Sequence, residues 1–163
     1  KYTFLIRKKG YQTVKVDSRV ARGERNKLIE VKLVVGGSVT ITSNISGRVT
    51  FADPKAAVCS GKLPIRECGL PNGTYKARFE GAARATKEFR VKIEANSVKR
   101  EIRFGVFKAK RGYKIRIGSK GKFRSEVAVP MDKKAEIQYL KDGTTAVRSI
   151  SVTAKSNRAI SIP

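Results

Sequence analysis

The side chains that most often carry enzymatic chemistry are sparse in this 163-residue sequence. It contains no histidine, which removes the usual general base and the commonest metal ligand. The carboxylates stand close to lysine or arginine, and neighbouring cations keep a carboxylate ionised, which is unsuitable for a general acid. Asp53, Asp132 and Asp142 each stand alone, so the clustered carboxylates of a calcium site are missing. We therefore expect no catalytic residue, no metal site and no cofactor.

The two cysteines, Cys59 and Cys68, are the candidates for covalent chemistry. They do not form a Cys-x-x-Cys redox motif, and a zinc site needs further ligands that two cysteines without histidine do not supply. A disulfide that closes the short loop between them is the natural pairing. Such a bond would place the chain in an oxidising compartment such as a periplasm or the cell exterior. The alternative is a pair of reduced thiols in the cytosol.

The net charge of +24 comes from 37 basic and 13 acidic residues. The charge is spread along the chain, at +7 for residues 1–34, +7 for 35–104 and +10 for 105–163, so it does not belong to a charged tail. A field of this sign attracts polyanions such as nucleic acid, anionic lipid or acidic cell-wall polymer. The alternative is a solubilising surface without a specific partner.

The segment from Gly105 to Ser125 has the sharpest functional pattern, because it is strongly basic, lacks acidic residues and contains Phe107, Tyr113 and Phe123. Basic strands with interleaved aromatic residues can track a phosphate backbone. The alternative, which we prefer for the aromatic residues, is that they belong to the core while the cations form a solvated face. The candidate anion-binding residues are Lys108, Lys110, Arg111, Lys114, Arg116, Lys120, Lys122 and Arg124.

The elements that must position these side chains are strands. Within 73–81, Tyr75, Ala77 and Phe79 alternate with charged residues, which predicts a strand with one buried and one exposed face. The preceding Pro71-Asn72-Gly73 has the composition of a turn and predicts a hairpin.

The same alternation recurs along the chain. It predicts three strands in residues 1–35, the last over 28–35, and further strands around Ile115, Val127, Ile137 and Ile150. The pair Asp142-Gly143 predicts a hairpin, and 118–121 predicts a turn. No segment has a convincing helical period. The expected fold is all-β, with small antiparallel β-sandwich units in tandem.

The middle of the chain resembles the PEGA domain family, whose loose pattern combines Gly-x-Val-x-Val, Gly-x-Thr-Pro and Leu-x-x-Gly-x-Tyr elements. The matching residues, in order, are Gly37 to Ser43, Gly47 with Val49, Gly61 with Pro64, and Leu70 to Tyr75 with Phe79. Tyr2, Phe4, Ile6 and Gly10-Tyr11 resemble the second half of a preceding copy. The third unit lacks the Gly-x-Thr-Pro and Leu-x-x-Gly-x-Tyr elements.

The expected domains are therefore a partial β unit at 1–35, a PEGA-like β-sandwich at 36–104 and a degenerate β-sandwich at 105–163. Three strands are few for an independent sandwich, so we expect residues 1–34 to pack against, or complete, the unit that follows. The resemblance implies repeated small β-sandwiches in bacterial periplasmic or cell-surface proteins, with a structural or adhesive role and no catalytic residues.

The function expected from the sequence is a non-catalytic, extracytoplasmic structural or binding module of a larger bacterial envelope protein. Its basic surfaces would contact acidic cell-envelope polymer or another envelope protein. One alternative is a nucleic-acid-binding β protein, and another is the ectodomain of a membrane-bound kinase. No apolar run approaches the roughly 20 residues that a membrane-spanning helix needs.

Overall fold

Alternation of apolar and polar residues gives this chain strands in preference to helices, because side chains of a strand point to opposite faces in turn. In the computed structural model 59% of residues lie in strands and 6% in helices. The structure describes residues 2–19, 21–23 and 27–155, and the backbone of 160–162. The expected all-β fold is confirmed.

The described strands number fifteen, and two short 3₁₀ helices, Pro54–Cys59 and Ala82–Arg84, interrupt them. The strands are β1 (Tyr2–Ile6), β2 (Val14–Ser18), β3 (Gly36–Ser43), β4 (Gly47–Phe51), β5 (Gly61–Lys62), β6 (Ile65–Pro71), β7 (Gly73–Gly81), β8 (Thr86–Ile93), β9 (Ser97–Ile102), β10 (Phe104–Ala109), β11 (Tyr113–Ile117), β12 (Glu126–Pro130), β13 (Lys134–Lys141), β14 (Val147–Thr153) and β15 (Ile160–Ile162).

These strands form five sheets, whose strand orders are β1-β2, β6-β3-β9, β5-β4-β7-β8, β12-β10-β15 and β11-β13-β14. The pairings of β1 with β2, β3 with β6, β10 with β12 and β13 with its two neighbours are antiparallel. The pairing of β10 with β15 is parallel. The Asp142-Gly143 hairpin is confirmed, because β13 and β14 pair across this turn and Gly143 has a φ of 78°.

Strand β7 confirms the predicted alternation, because Tyr75, Ala77 and Phe79 are buried and the charged residues between them are exposed. The predicted hairpin before it is wrong. Strands β6 and β7 lie in different sheets, so Pro71-Asn72-Gly73 carries the chain from one sheet to another. A turn motif specifies a change of direction, but it does not specify the partner of the strand that follows.

The strand predicted over residues 28–35 is also wrong. Ile29, Val31 and Leu33 are half-buried in alternation, yet residues 27–34 belong to no strand. The backbone contacts of this segment with the start of the chain are a bond from the Gln12 N–H to the Val34 carbonyl and an isolated bridge between Tyr11 and Val35. Alternation fixes which side chains are shielded, whereas a strand also needs a continuous backbone partner.

Gly36 and Gly37 begin β3 and are buried in the sheet. A Cβ on Gly36 would overlap the carbonyl oxygen of Leu70, and one on Gly37 would overlap that of Asn96. The two glycines therefore permit a close approach of backbones, which explains why residues without side chains stand at the start of this strand.

The chain divides into two compact units. Unit 1 comprises 1–42, 49–78 and 88–100, and unit 2 comprises 43–48, 79–87 and 101–163. The sequence-based domains 1–35, 36–104 and 105–163, and their tandem arrangement, stay predictions.

The disulfide predicted between Cys59 and Cys68 is present in unit 1 and buried. It ties the 3₁₀ helix Pro54–Cys59 to β6, whose Cys68 pairs in register with Val39 of β3. Nearby, burial and the charge of Asp53 raise the pKa of Tyr75, whose hydroxyl donates a hydrogen bond to the Pro71 carbonyl at 2.8 Å. The disulfide fastens the irregular stretch after β4 to β6, and the Tyr75 hydrogen bond joins β7 to the end of β6.

The N-terminal segment packs on the rest of unit 1 through Thr13, which is 2% exposed. Its hydroxyl oxygen accepts the Gly69 N–H at 2.8 Å, and its own N–H donates to the Gly69 carbonyl at 2.8 Å. The Gly36 N–H also donates to the Gly10 carbonyl. This agrees with the expectation that residues 1–34 pack against the unit that follows.

Unit 2 has a sandwich-like core made by two sheets. Phe107, Val127 and Val129 come from the β12-β10-β15 sheet, and Ile115 and Ile137 come from the β11-β13-β14 sheet. All five are buried, and they hold β11 and β12 in fixed positions. The loop between these two strands carries the basic residues described next.

Candidate anion-binding site

The loop between β11 and β12 folds back on β11. The Ile115 N–H donates to the Arg124 carbonyl at 2.7 Å, and the Arg124 N–H donates to the Ile115 carbonyl at 2.8 Å. Gly118 and Gly121 have φ values of 60° and 98°, which glycine adopts without steric cost, so the turn predicted at 118–121 is present. The closed loop brings its basic side chains beside those of the strand.

Arg116 lies at the centre of this arrangement. Its Nε donates to Oε1 of Gln138 at 3.0 Å, and its Nη1 donates to the carbonyl oxygen of Gly121 at 3.3 Å. Its guanidinium lies 4.4 Å from the ring centroid of Phe123, a cation–π contact. Neutral groups therefore orient Arg116, and no carboxylate among the described residues compensates its charge.

Arg84 approaches the same place from another part of unit 2, the turn between β7 and β8. Ala83 and Arg84 have φ values of 53° and 58°, a left-handed conformation that costs about 1–2 kcal/mol per non-glycine residue. Backbone bonds from Gly81 to Ala85 and from Ala82 to Ser46 hold the turn. Strain of this kind is a feature that functional sites often retain.

These segments enclose a solvent-open cavity of about 600 Å³ in unit 2. Five of its lining residues are cations, and none is acidic. Ile117, which is 40% exposed, contributes an apolar wall. The lining residues are Arg84, Thr86, Arg116, Ile117, Lys120, Gly121, Lys122, Arg124 and Val127.

A second cavity, of about 360 Å³, shares Arg84 and Arg124 with the first. Its other lining residues differ in chemistry, because Ser125 offers a hydroxyl and Glu126 a carboxylate. Where the first cavity is positive and partly apolar, the second is polar and carries both signs of charge.

The cations of the larger cavity have no ion-pair partner among the described residues, although ion pairs do form elsewhere in the chain. Arg103 binds Glu101 at 2.6 Å, and this hydrogen bond lowers the pKa of the Glu101 carboxyl. Lys92 likewise binds Glu94. The cavity therefore concentrates positive charge that the described residues leave unneutralised.

The structure brings together four of the eight predicted anion-binding residues, Arg116, Lys120, Lys122 and Arg124. The other four do not line this cavity. Lys114 forms an ion pair with Asp142 at 3.2 Å, and Lys108 lies opposite Glu126 in the ladder of β10 and β12. Lys110 and Arg111 lie at the turn between β10 and β11.

Sequence reasoning missed Arg84, which contributes to both cavities. It lies far from the basic segment in sequence, and an arginine in a short turn has no pattern that sets it apart from the other cations. Ile117, at the end of β11, alternates with Arg116 and Ile115 in a pattern that favours a core position, but its side chain is exposed and lines the cavity.

The three aromatic residues of the basic segment have different environments. Phe107 is 1% exposed and lies in the core, which confirms the expected core position for this residue. Tyr113 is half-buried, with its ring centroid 6.4 Å from that of Tyr139. Phe123 contacts the Arg116 guanidinium.

Among the described residues, no group of three or more histidine, cysteine, aspartate or glutamate side chains could hold a metal ion. Within the same ranges, no helix combines the length and apolar character required to span a lipid bilayer.

Comparisons with known proteins found no relative of this chain. No protein-family model matches the chain, and neither the curated proteins nor the solved structures contain a match.

Proposed function

We propose that this chain is a non-catalytic binding module that uses the larger cavity of unit 2 to hold an acidic polymer of the cell envelope. The single observation that carries the proposal is the convergence on one open cavity of five cations that have no ion-pair partner in the described part of the chain. Gathering like charges is unfavourable unless an anion neutralises them, so such an arrangement favours an anionic partner.

The disulfide supports the extracytoplasmic part of the proposal, because structural disulfides persist chiefly in oxidising compartments. The PEGA-like resemblance of the middle of the chain supports it further, and membership of that family in tandem copies stays a prediction. The alternative partner within this proposal is another protein of the envelope, which would contact the same basic surface.

The first test is binding of the full chain to an anionic envelope polymer by isothermal titration calorimetry. We expect binding at roughly 50 mM salt that weakens steeply towards roughly 200 mM, because association releases counterions. An uncharged polysaccharide of similar length is the control. Failure to bind any anionic polymer at the lower salt concentration would contradict the proposal.

The compartment has its own test, the intact mass of protein from its natural host after alkylation without a reductant. An unmodified mass is expected if Cys59 and Cys68 are oxidised in the cell. Two alkylated thiols would show that the protein comes from a reducing compartment. That result would favour the alternative function, nucleic-acid binding through the same cations.

The nucleic-acid alternative has one observation in its favour, the same five-cation cavity, since phosphates dominate the affinity of nucleic acids for proteins. The kinase-ectodomain alternative depends on parts of a longer polypeptide, and a transmembrane segment joined to a kinase would decide for it.

A further inference from the structure

We propose that the two cavities of unit 2 together recognise a phosphodiester-linked polyol polymer, with phosphate groups in the larger cavity and polyol hydroxyls in the smaller one. This inference rests on the proposed function and names the class of polymer that the same site takes. It follows from how Arg116 is held, from the chemistry of the second cavity and from the fact that the aromatic rings of the basic segment already pack against other side chains.

Arg116 is pre-organised for an oxyanion. A guanidinium has five N–H donors, and Gln138 and the Gly121 carbonyl occupy two of them. The remaining donors lie on a planar fork that matches phosphate or carboxylate geometry. Because its ring contact with Phe123 also restricts the side chain, little conformational entropy is lost when an anion binds.

Cations reach the larger cavity from two separate segments, Arg84 from the turn between β7 and β8, and Lys120, Lys122 and Arg124 from the loop between β11 and β12. A phosphodiester presents two non-bridging oxygens on a tetrahedral phosphorus, and each can accept hydrogen bonds from several directions, so donors on different sides can reach it. A carboxylate presents two oxygens in one plane. The arrangement therefore favours phosphate over a uronic-acid polymer.

The smaller cavity needs a different partner. Glu126 repels an anion but accepts hydrogen bonds from hydroxyl groups, and the Ser125 hydroxyl can donate or accept. Since Arg84 and Arg124 line both cavities, a phosphate in one places the adjoining spacer near the other. A polyol spacer supplies the hydroxyls that Glu126 can bind.

Nucleic acid fits the aromatic residues less well. Binding of single strands depends on aromatic faces on which bases stack. In the basic segment Phe107 is buried, Tyr113 packs near Tyr139, and the Arg116 guanidinium covers Phe123. None of these rings lines either cavity, so the site offers donors for phosphate without a stacking platform for bases.

The experiment compares full-length wild type and variants by titration with poly(glycerol phosphate), inorganic phosphate, polygalacturonate and a single-stranded oligonucleotide of matched charge. We expect poly(glycerol phosphate) to bind tightest, with inorganic phosphate weaker because it engages one cavity. Equal affinity for polygalacturonate would overturn the phosphate assignment while leaving polyanion binding intact. If free phosphate binds as tightly as poly(glycerol phosphate), the proposal that the site recognises a polymer is wrong. If no anionic polymer binds, the proposed function itself fails.

Arg116→Lys keeps the charge and removes the planar fork. We expect it to weaken poly(glycerol phosphate) binding roughly tenfold, the loss of one charge-assisted hydrogen bond. Arg84→Gln, at an exposed position, should weaken binding similarly without risk to folding. Arg90→Lys and Arg90→Gln in unit 1 are the matched controls. If they weaken binding as much as the cavity variants do, the assignment of binding to the cavity is wrong.

Glu126→Ala distinguishes specific recognition from simple charge attraction by the sign of its effect. If Glu126 binds polyol hydroxyls, its removal weakens poly(glycerol phosphate) binding several-fold while the oligonucleotide binds more tightly. If the site only attracts charge, loss of an anion tightens binding of both ligands. That second result would overturn the role of the smaller cavity.

Discussion

At the scale of single residues, the described structure leaves no buried side-chain nitrogen or oxygen without a hydrogen-bond partner. Thr13 shows how this is achieved, since its buried hydroxyl accepts the N–H of Gly69 in β6. A buried polar group that loses its partner costs more than the hydrogen bond itself contributes. This contact therefore constrains the chemistry of the side chain at position 13.

We predict that Thr13→Val lowers the free energy of unfolding by about 1–3 kcal/mol, because it leaves the buried Gly69 N–H unpaired while conserving volume. Thr13→Ser keeps the hydroxyl and loses one methyl group, at a cost of about 1 kcal/mol or less. Urea denaturation of both variants measures the difference. A valine variant at least as stable as the serine variant would show that this hydrogen bond contributes little.

At the scale of elements, the turn between β7 and β8 combines backbone strain with a site residue. Ala83 has a left-handed φ, and glycine adopts this conformation without the Cβ penalty. We predict that Ala83→Gly raises the free energy of unfolding by about 1 kcal/mol. Ala82→Gly, whose backbone is not left-handed, should lower it by about 0.5–1 kcal/mol. Thermal denaturation of both variants checks the prediction, which fails if the two shifts have the same sign.

The disulfide is a second element-scale feature, because it joins a 3₁₀ helix to β6 across a sequence separation of nine. Chain entropy predicts that replacing Cys59 and Cys68 with alanine lowers the free energy of unfolding by about 2–3 kcal/mol. Urea denaturation of the double variant, with the reduced wild type beside it, measures this. An unchanged midpoint in both would mean that packing alone holds the helix to the strand.

Strands were predicted correctly from the sequence where a segment has both an alternating pattern and a neighbouring strand to pair with. In β7 the alternating residues define a buried face, and the neighbouring strands β4 and β8 supply the backbone partners. Over 28–35 the alternation is equally regular, yet the segment forms no ladder, because no strand of the described ranges offers it a continuous row of backbone groups. Local pattern therefore predicts exposure better than it predicts pairing.

At the scale of the whole molecule, the first 34 residues belong with unit 1 and do not stand apart from it. We predict that a shortened chain of residues 35–163 has a free energy of unfolding lower by about 2 kcal/mol or more. It loses two backbone hydrogen bonds, from Thr13 to Gly69 and from Gly36 to Gly10, and the bond from the Gly69 N–H to the Thr13 hydroxyl. Parallel denaturation of both chains tests this. Unchanged stability would show that residues 1–34 are dispensable for unit 1.

The sequence by itself determined the all-β class, the buried face of β7, the two cysteines available for a disulfide, and the basic character of 105–125. Each depends on local composition or on a period of two residues, which the chain carries whatever its partners. Only the tertiary structure decided that β6 and β7 enter different sheets. It also decided that Arg84 meets four of the eight predicted cations, Arg116 among them, at one cavity. Such meetings of distant segments depend on how sheets pack, and packing is a property of the whole chain that no local pattern encodes.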